Sequence, residues 1–220
     1  MTRRWRVARP FAALGLAAAL TTALAQSTTS AAFTATTGDP GNQVSSAPTF
    51  CASPGRVDTI TTAVDTGLYE SQATSNFASN ASTGVISTAP ARARTLIKFD
   101  LSGRPTRCTA QSAILTMRVN SGTAGATVEV CRAAAAWNPT TVTWAGDPGF
   151  TGPCAPATSV VNGTLISWDV ATQVTGLVTI ADNGFEIKFA TESGTTYTQL
   201  FDSMEATMVG NRPKLVITWG

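Results

Sequence analysis

Short segments in which apolar and polar residues alternate recur along the chain, and they restrict its fold more than any other feature. The clearest lies in residues 112–120, where Ala113, Leu115, Met117 and Val119 recur at every second position. Neighbouring side chains of a strand point to opposite sides, so these four would share one face. The pattern predicts strands that are buried on one face and polar on the other.

The stretch from Ser112 to Trp144 is predicted to form a central hairpin that the rest of the chain covers. A turn of Ser, Gly, Thr and Ala separates its first strand from a second alternating segment at 127–131. An Asn-Pro turn follows, bracketed by Trp137 and Trp144. Large aromatic side chains gain most from burial, so we expect both to cap the core, with stacking on a sugar ring as the alternative.

The remaining segments predict an all-β fold with one short helix. Residues 171–184 have the apolar spacing of a helix, whereas 71–84 and 145–163 are rich in turn-forming residues and are predicted loops. Nine or ten short strands without strand-helix-strand alternation indicate an antiparallel β-sandwich, most simply a jelly roll. The other predicted strands are 56–70, 85–88, 93–101, 165–170, 185–190, 197–203 and 214–219.

Residues 1–31 have the pattern of a secretory signal peptide. Four arginines precede the apolar run 11–25, which is too short to cross a membrane comfortably. Cleavage could follow Ala25 or Ala31. The sequence then predicts a linker of Thr, Ser, Gly and Pro at 32–55 and a folded domain at 56–220.

The leader also explains the charge of the chain. The formal net charge is +2, with 15 bases, but without the four leader arginines 11 bases face 13 acids. No basic patch then argues for nucleic acid, and no membrane contact is expected after processing.

Four cysteines in an exported chain predict two disulfides. They are Cys51, Cys108, Cys131 and Cys154, and they allow three pairings. We prefer Cys51–Cys108, which would tie the linker to the start of the central strand, and Cys131–Cys154, which would close the loop that carries Trp137 and Trp144.

The chain has no histidine, which argues against an enzyme. Serine-histidine and cysteine-histidine catalysis are excluded, and no evident acid-base pair replaces them. A glycosidase would need two carboxylates across a cleft, and the spacing of the acids does not indicate one.

Eight motifs follow one another along the chain, namely AVDTGLY, RTLIKFDLSG, QSAILTMRV, VEVCRAAAAWNPTTVTW, WDVATQV, NGFEIKF, FDSME and NRPKLVITW. In this order they resemble the DNRLRE domain, a family of secreted bacterial β-sandwich modules related to carbohydrate-binding modules. The resemblance covers about Val57 to Trp219. The family often has Asn-Tyr-Gly where this chain has Asn76-Phe77-Ala78, and an arginine where it has Met204.

The leader junction, residues 30–47, resembles a second group, the Gram-positive exported proteins of the TasA and camelysin type. Their leaders are cut by a dedicated signal peptidase, SipW, between two alanines just before a phenylalanine. Here these are Ala31 and Ala32, before Phe33. The resemblance implies a protein of the cell surface or matrix.

The DNRLRE resemblance implies a secreted, non-catalytic module that binds extracellular or cell-wall polysaccharide, in some relatives acidic polysaccharide. Tyr69, Trp137 and Tyr197 are the candidate glycan contacts, because aromatic faces suit sugar rings. No cofactor is expected, although a structural Ca²⁺ held by Asp65 or Asp169 is an alternative role for these carboxylates. The rival hypothesis is a structural protein that associates with itself at the cell surface.

Overall fold

The computed structural model describes residues Phe50 to Gly220. The predicted signal peptide and residues 32–49 of the predicted linker lie outside the described residues. Between Phe50 and Gly220 the chain forms eleven β-strands and one α-helix. They are β1 Val57–Ile60, β2 Ala63–Tyr69, β3 Ser82–Ile86, β4 Ala93–Phe99, β5 Ala110–Gly122, β6 Thr127–Ala133, β7 Phe150–Thr158, β8 Leu165–Asp169, α1 Ala171–Thr179, β9 Phe185–Phe189, β10 Thr198–Asp202 and β11 Lys214–Trp219.

The strands form one antiparallel sheet that curls on itself. Their order is β1-β11-β5-β10-β3-β4-β9-β6-β7, with β2 beside β4 and β8 beside β5. The 13-residue β5 pairs with β11 and β8 along its first part and with β10 along its last part. β5 therefore belongs to both layers of the sandwich. One layer contains β1, β8 and β11, and the other contains β2, β3, β4, β6, β7, β9 and β10. The all-β prediction is confirmed, and the curled sheet is consistent with a jelly-roll sandwich.

The core lies between the two layers and includes Trp168 and Trp219, which are 1% and 0% exposed. The indole nitrogen of Trp168, on β8, donates a hydrogen bond of 3.1 Å to the carbonyl of Val128, on β6. The strands β8 and β6 do not pair, so this bond joins the two layers. The alternation in the predicted strands 165–170 and 214–219 places both tryptophans on the apolar face, and their burial confirms this.

The predicted central hairpin is wrong. β5 pairs with β8, β10 and β11, whereas β6 pairs with β7 and β9. Alternation reveals which face of a strand is buried but carries no information on its partner, since backbone hydrogen bonds are the same for every residue type. The inner faces of the two strands instead line the same core from different layers.

The predicted loop 145–163 contains strand β7, which is a second correction. β7 lies at the edge of the sheet and pairs only with β6 among the described strands. Its residues Pro153 and Pro156 lack an N–H group, so they argued against a strand. At an edge, one side of the strand needs no donors, and proline is tolerated there.

The predicted first strand, 56–70, is two strands that break at Thr61 and Thr62. β1 pairs with β11, whereas β2 pairs with β4. The helix is also shorter than the predicted 171–184 and ends at Thr179, although its buried face, Val174 and Leu177, is as expected.

Both disulfides of the preferred pairing are present. Cys51 is bonded to Cys108, and Cys131 is bonded to Cys154. The first fastens the end of the predicted linker to the loop before β5. The second joins β6 to β7, which explains how an edge strand with two prolines stays attached.

Candidate functional site

The loop 134–149 folds over the outer side of β2 and β4, where it buries a second, small apolar cluster. Trp137 and Trp144 are both half-buried against this cluster. The indole nitrogen of Trp137 donates a 2.7 Å hydrogen bond to the carbonyl of Asn183, so its polar edge already has a partner. The cluster consists of Leu68, Leu96, Ala133 and Val142.

Arg94, on the outer face of β4, is the centre of a charged network beside these aromatics. Its guanidinium donates two hydrogen bonds to Glu192, of 2.9 and 2.6 Å, one of 2.7 Å to Asp147 and one of 3.1 Å to Glu186. It also lies 5.2 Å from the ring centre of Trp144. From the sequence, Arg94 could be assigned only to the polar face of a predicted strand, and its role in a charged network was missed. Its position in the RTLIKFDLSG motif was the one signal that could have indicated this role.

Glu186 is fully buried in this network, and its second oxygen has no partner among the described residues. Burial raises the pKa of Glu186 to about 8, and the charge of Asp147 adds to the shift against the opposing effect of Arg94. A protonated Glu186 can donate to Asp147, which satisfies the orphaned oxygen. Burial and the neighbouring Asp147 therefore shift Glu186 toward its protonated form.

Tyr69 lies where three motifs of the resemblance meet. Its ring contacts Phe77 edge-on, with 4.7 Å between ring centres, and lies across Gly67, where any side chain would collide with it. The neighbouring Asp65 is buried and accepts a 2.8 Å hydrogen bond from the backbone N–H of Met204. Burial raises the pKa of Asp65 to about 7, and the adjacent carboxylate of Glu205 contributes.

The predicted calcium candidates are not brought together. Asp65 lies on β2, whereas Asp169 ends β8 in the other layer and is exposed. Asp169 accepts a 3.1 Å hydrogen bond from the N–H of Ala171 at the start of α1. A bond to the N–H two residues further along is an Asx turn, a role that aspartate favours where the chain bends. A calcium site on either residue stays a prediction.

Tyr197 lies apart from the other two glycan candidates. Tyr69 ends β2 next to the loop of Asn76, and Trp137 lies on the neighbouring loop, since Asn76 donates hydrogen bonds of 2.7 Å to the carbonyls of Pro139 and Val142. Tyr197 instead precedes β10 and lines a cleft of about 310 Å³ together with Phe189. The three residues therefore do not form one continuous surface, and their contact with glycan stays a prediction.

A larger cleft, of about 560 Å³, lies against the loop between β4 and β5. Arg104 and Arg107 line it, and neither forms an ion pair within the part of the chain that the structure describes. We call it the arginine cleft. Asp182, which lies outside the lining, interacts electrostatically with both Arg104 and Lys98, and the guanidinium of Arg104 donates a 3.3 Å hydrogen bond to the carbonyl of Leu101. The other lining residues are Ser102, Pro105, Thr106, Cys108, Thr109, Val178 and Thr179.

The loop that carries the arginine cleft is held in place at several points. The Cys51–Cys108 disulfide follows Arg107 directly, and Thr109 and Gly220 exchange two backbone hydrogen bonds of 3.0 Å. Arg107 has a φ of 60°, a left-handed conformation that costs a residue with a side chain about 1–2 kcal/mol. The surrounding attachments impose this conformation, and they fix the direction in which its side chain leaves the loop.

Comparison with known families matches residues 57–219 to carbohydrate-binding module family 96. The chain belongs to this family. The match covers nearly all of the described residues and agrees with the predicted kinship to carbohydrate-binding modules. No curated protein matches the chain in sequence.

Membership of family 96 gives a carbohydrate as the partner of this module and an extracellular place of action. The two disulfides agree with that location, because such bonds persist in oxidising compartments. Between Phe50 and Gly220 no helix has the length and apolar character needed to cross a membrane.

Proposed function

We propose that this family 96 module binds an acidic extracellular or cell-wall polysaccharide without cleaving it, and that the arginine cleft is its binding site. The observation that carries the proposal is the pair Arg104 and Arg107, which form no ion pair among the described residues and line a cleft with no acidic lining residue. Every guanidinium offers five N–H donors in a planar fork that fits a carboxylate or sulfate group.

The hydroxyl groups of the cleft complement the two arginines. Ser102, Thr106 and Thr109 can each donate to or accept from sugar hydroxyls. The fixed loop reduces the entropy lost on binding, since its backbone is ordered before the ligand arrives. A non-catalytic role is supported by the family, which is one of binding modules, and by the absence of histidine from the sequence.

The proposal is tested by retention of the mature protein on polygalacturonate and dextran sulfate, with uncharged dextran as the reference. The double variant R104Q/R107Q removes two charges from the cleft. The matched control, R118Q/K214Q, removes two charges from the outer side of β5 and β11, where the side chains of Arg118 and Lys214 reach solvent.

We expect retention on the acidic polymers to weaken with salt and to be lost in R104Q/R107Q but not in the control. Equal loss in both variants would mean that only net charge matters, and the cleft would not be the site. Release of unsaturated or reducing ends from the polymer would overturn the non-catalytic role.

Self-association at the cell surface remains the alternative, and one feature favours it. The edge strand β1 pairs only with β11 among the described strands, so its other edge can accept a strand from a second copy. Sedimentation of the mature protein over a concentration series distinguishes self-association from polysaccharide binding by a monomer. Assembly without retention on any polysaccharide would favour the structural role.

A further inference from the structure

A second cleft, between the turn before β6 and the loop 190–197, contains the predicted glycan contact Tyr197. Its volume is about 310 Å³. The ring of Tyr197 is half-buried beside Phe189, with 6.0 Å between the ring centres. We call this the tyrosine cleft. Its other lining residues are Ala126, Thr127, Ala190, Thr191, Ser193 and Thr195.

The wall of the tyrosine cleft is anchored on both sides of Ser193. Glu192 is held by the two hydrogen bonds from Arg94. Further along, the hydroxyl of Ser87 donates a 2.9 Å hydrogen bond to the carbonyl of Thr195 and accepts one of 2.8 Å from the N–H of Tyr197. The cleft therefore has a defined shape without a ligand, which lowers the entropic cost of binding.

The chemistry of the lining differs from that of the arginine cleft. No lining residue carries a charge, so an acidic group would find no cation there. The hydroxyls of Thr127, Thr191, Ser193 and Thr195 can exchange hydrogen bonds with sugar hydroxyls, and the tyrosine ring offers a face to sugar C–H groups. We propose that the tyrosine cleft is a second binding site of this module and that it takes a neutral sugar unit.

The two clefts lie toward opposite ends of the sandwich. Tyr197 directly precedes β10, whose first residue pairs with Ile86, and Ile86 in turn pairs with Ala93 at the start of β4. The arginine cleft lies on the loop that follows the end of β4 at Phe99. A strand of seven residues spans about 20 Å, so the two sites can act independently.

The test uses soluble neutral probes, namely cello-, xylo- and mannohexaose, measured by isothermal titration calorimetry on the mature protein. S193R fills the tyrosine cleft from an exposed position, and T207R, on the exposed loop after β10, is its matched control. Y197A removes the ring, and its melting temperature is measured in parallel because Tyr197 also packs against the core.

We expect at least one neutral probe to bind wild type, and S193R and Y197A each to weaken it roughly tenfold or more, with T207R unchanged. R104Q/R107Q and added salt should leave this binding unaffected. No binding of any neutral probe, or equal binding in S193R and wild type, would overturn the proposal. Such a result would not contradict the binding of an acidic polysaccharide at the arginine cleft, because each site is tested with its own variants and probes.

Discussion

The guanidinium of Arg94 binds the carboxylate of Glu192 through two hydrogen bonds, of 2.9 and 2.6 Å, although 98 residues separate them in sequence. Asp147 and Glu186 contact the same guanidinium. One side chain on β4 thereby fixes the loop 134–149 and the wall of the tyrosine cleft. Its removal would leave the carboxylates of Glu192 and Asp147 and the carboxyl group of Glu186 with no cation between them.

The first prediction is that R94M lowers the free energy of unfolding by about 3 kcal/mol, because breaking a buried ion pair leaves unpaired charge behind. Urea denaturation at pH 7 measures the loss. R118Q, which removes an exposed arginine whose nearest carboxylate oxygen is 3.7 Å away, should cost less than about 1 kcal/mol. Equal losses in the two variants would show that the Arg94 network contributes no special stability.

The second prediction concerns pH. The pKa of Glu186 is raised to about 8 in the folded protein, above its ordinary value of 4.5, so folding takes up a proton between these values. The stabilisation is present below pH 4.5 and is lost as the pH rises toward 8, by up to about 1.4 kcal/mol per pH unit. Asp65, with a pKa of about 7, adds a similar loss between its ordinary 3.8 and 7.

Urea denaturation from pH 5 to pH 9 measures this slope, and E186Q should flatten it between pH 5 and 8. The glutamine keeps the shape of the protonated acid, so E186Q should equal wild type near pH 5 and exceed it at pH 9. A slope that is the same in both proteins would contradict a protonated Glu186.

The third prediction separates the two disulfides. In the chain-entropy model, loops of 57 and 23 residues make Cys51–Cys108 worth about 4 kcal/mol and Cys131–Cys154 about 3 kcal/mol. Alanine replacement of either pair should lower the melting temperature. Only C51A/C108A should also weaken retention on polygalacturonate, because this disulfide anchors the arginine cleft. Equal effects of both pairs on retention would contradict that.

The fourth prediction concerns Trp168 and Val128, which join the two layers. W168F keeps a ring in the core but leaves the buried carbonyl of Val128 without its donor, at a cost of about 1–3 kcal/mol. V161A, at a residue that is 57% exposed, is the reference and should change little. Denaturant unfolding of the two variants measures the difference, and equal stability would mean that the bond contributes nothing.

The residues of the two candidate sites differ in how far they could be predicted from the sequence. Tyr197 could be singled out from sequence because a tyrosine beside a turn has both an apolar face and a polar tip. Arg104 and Arg107 could not, since an arginine in a loop is ordinary until its neighbours are known. The arginine cleft exists because α1, the Cys51 disulfide and the loop after β4 meet there, and these segments are distant in the sequence.

The sequence by itself determined which faces of the strands are buried, that Trp168 and Trp219 belong to the core, and that the fold is all-β. These properties depend on local alternation and on the free energy of burying apolar side chains. Only the tertiary structure decided that β5 and β6 are not a hairpin, that a proline-bearing segment is an edge strand, and that Arg94 gathers three carboxylates. Strand pairing and charge networks join residues far apart in the chain, and local pattern carries no record of which distant segment will be the partner.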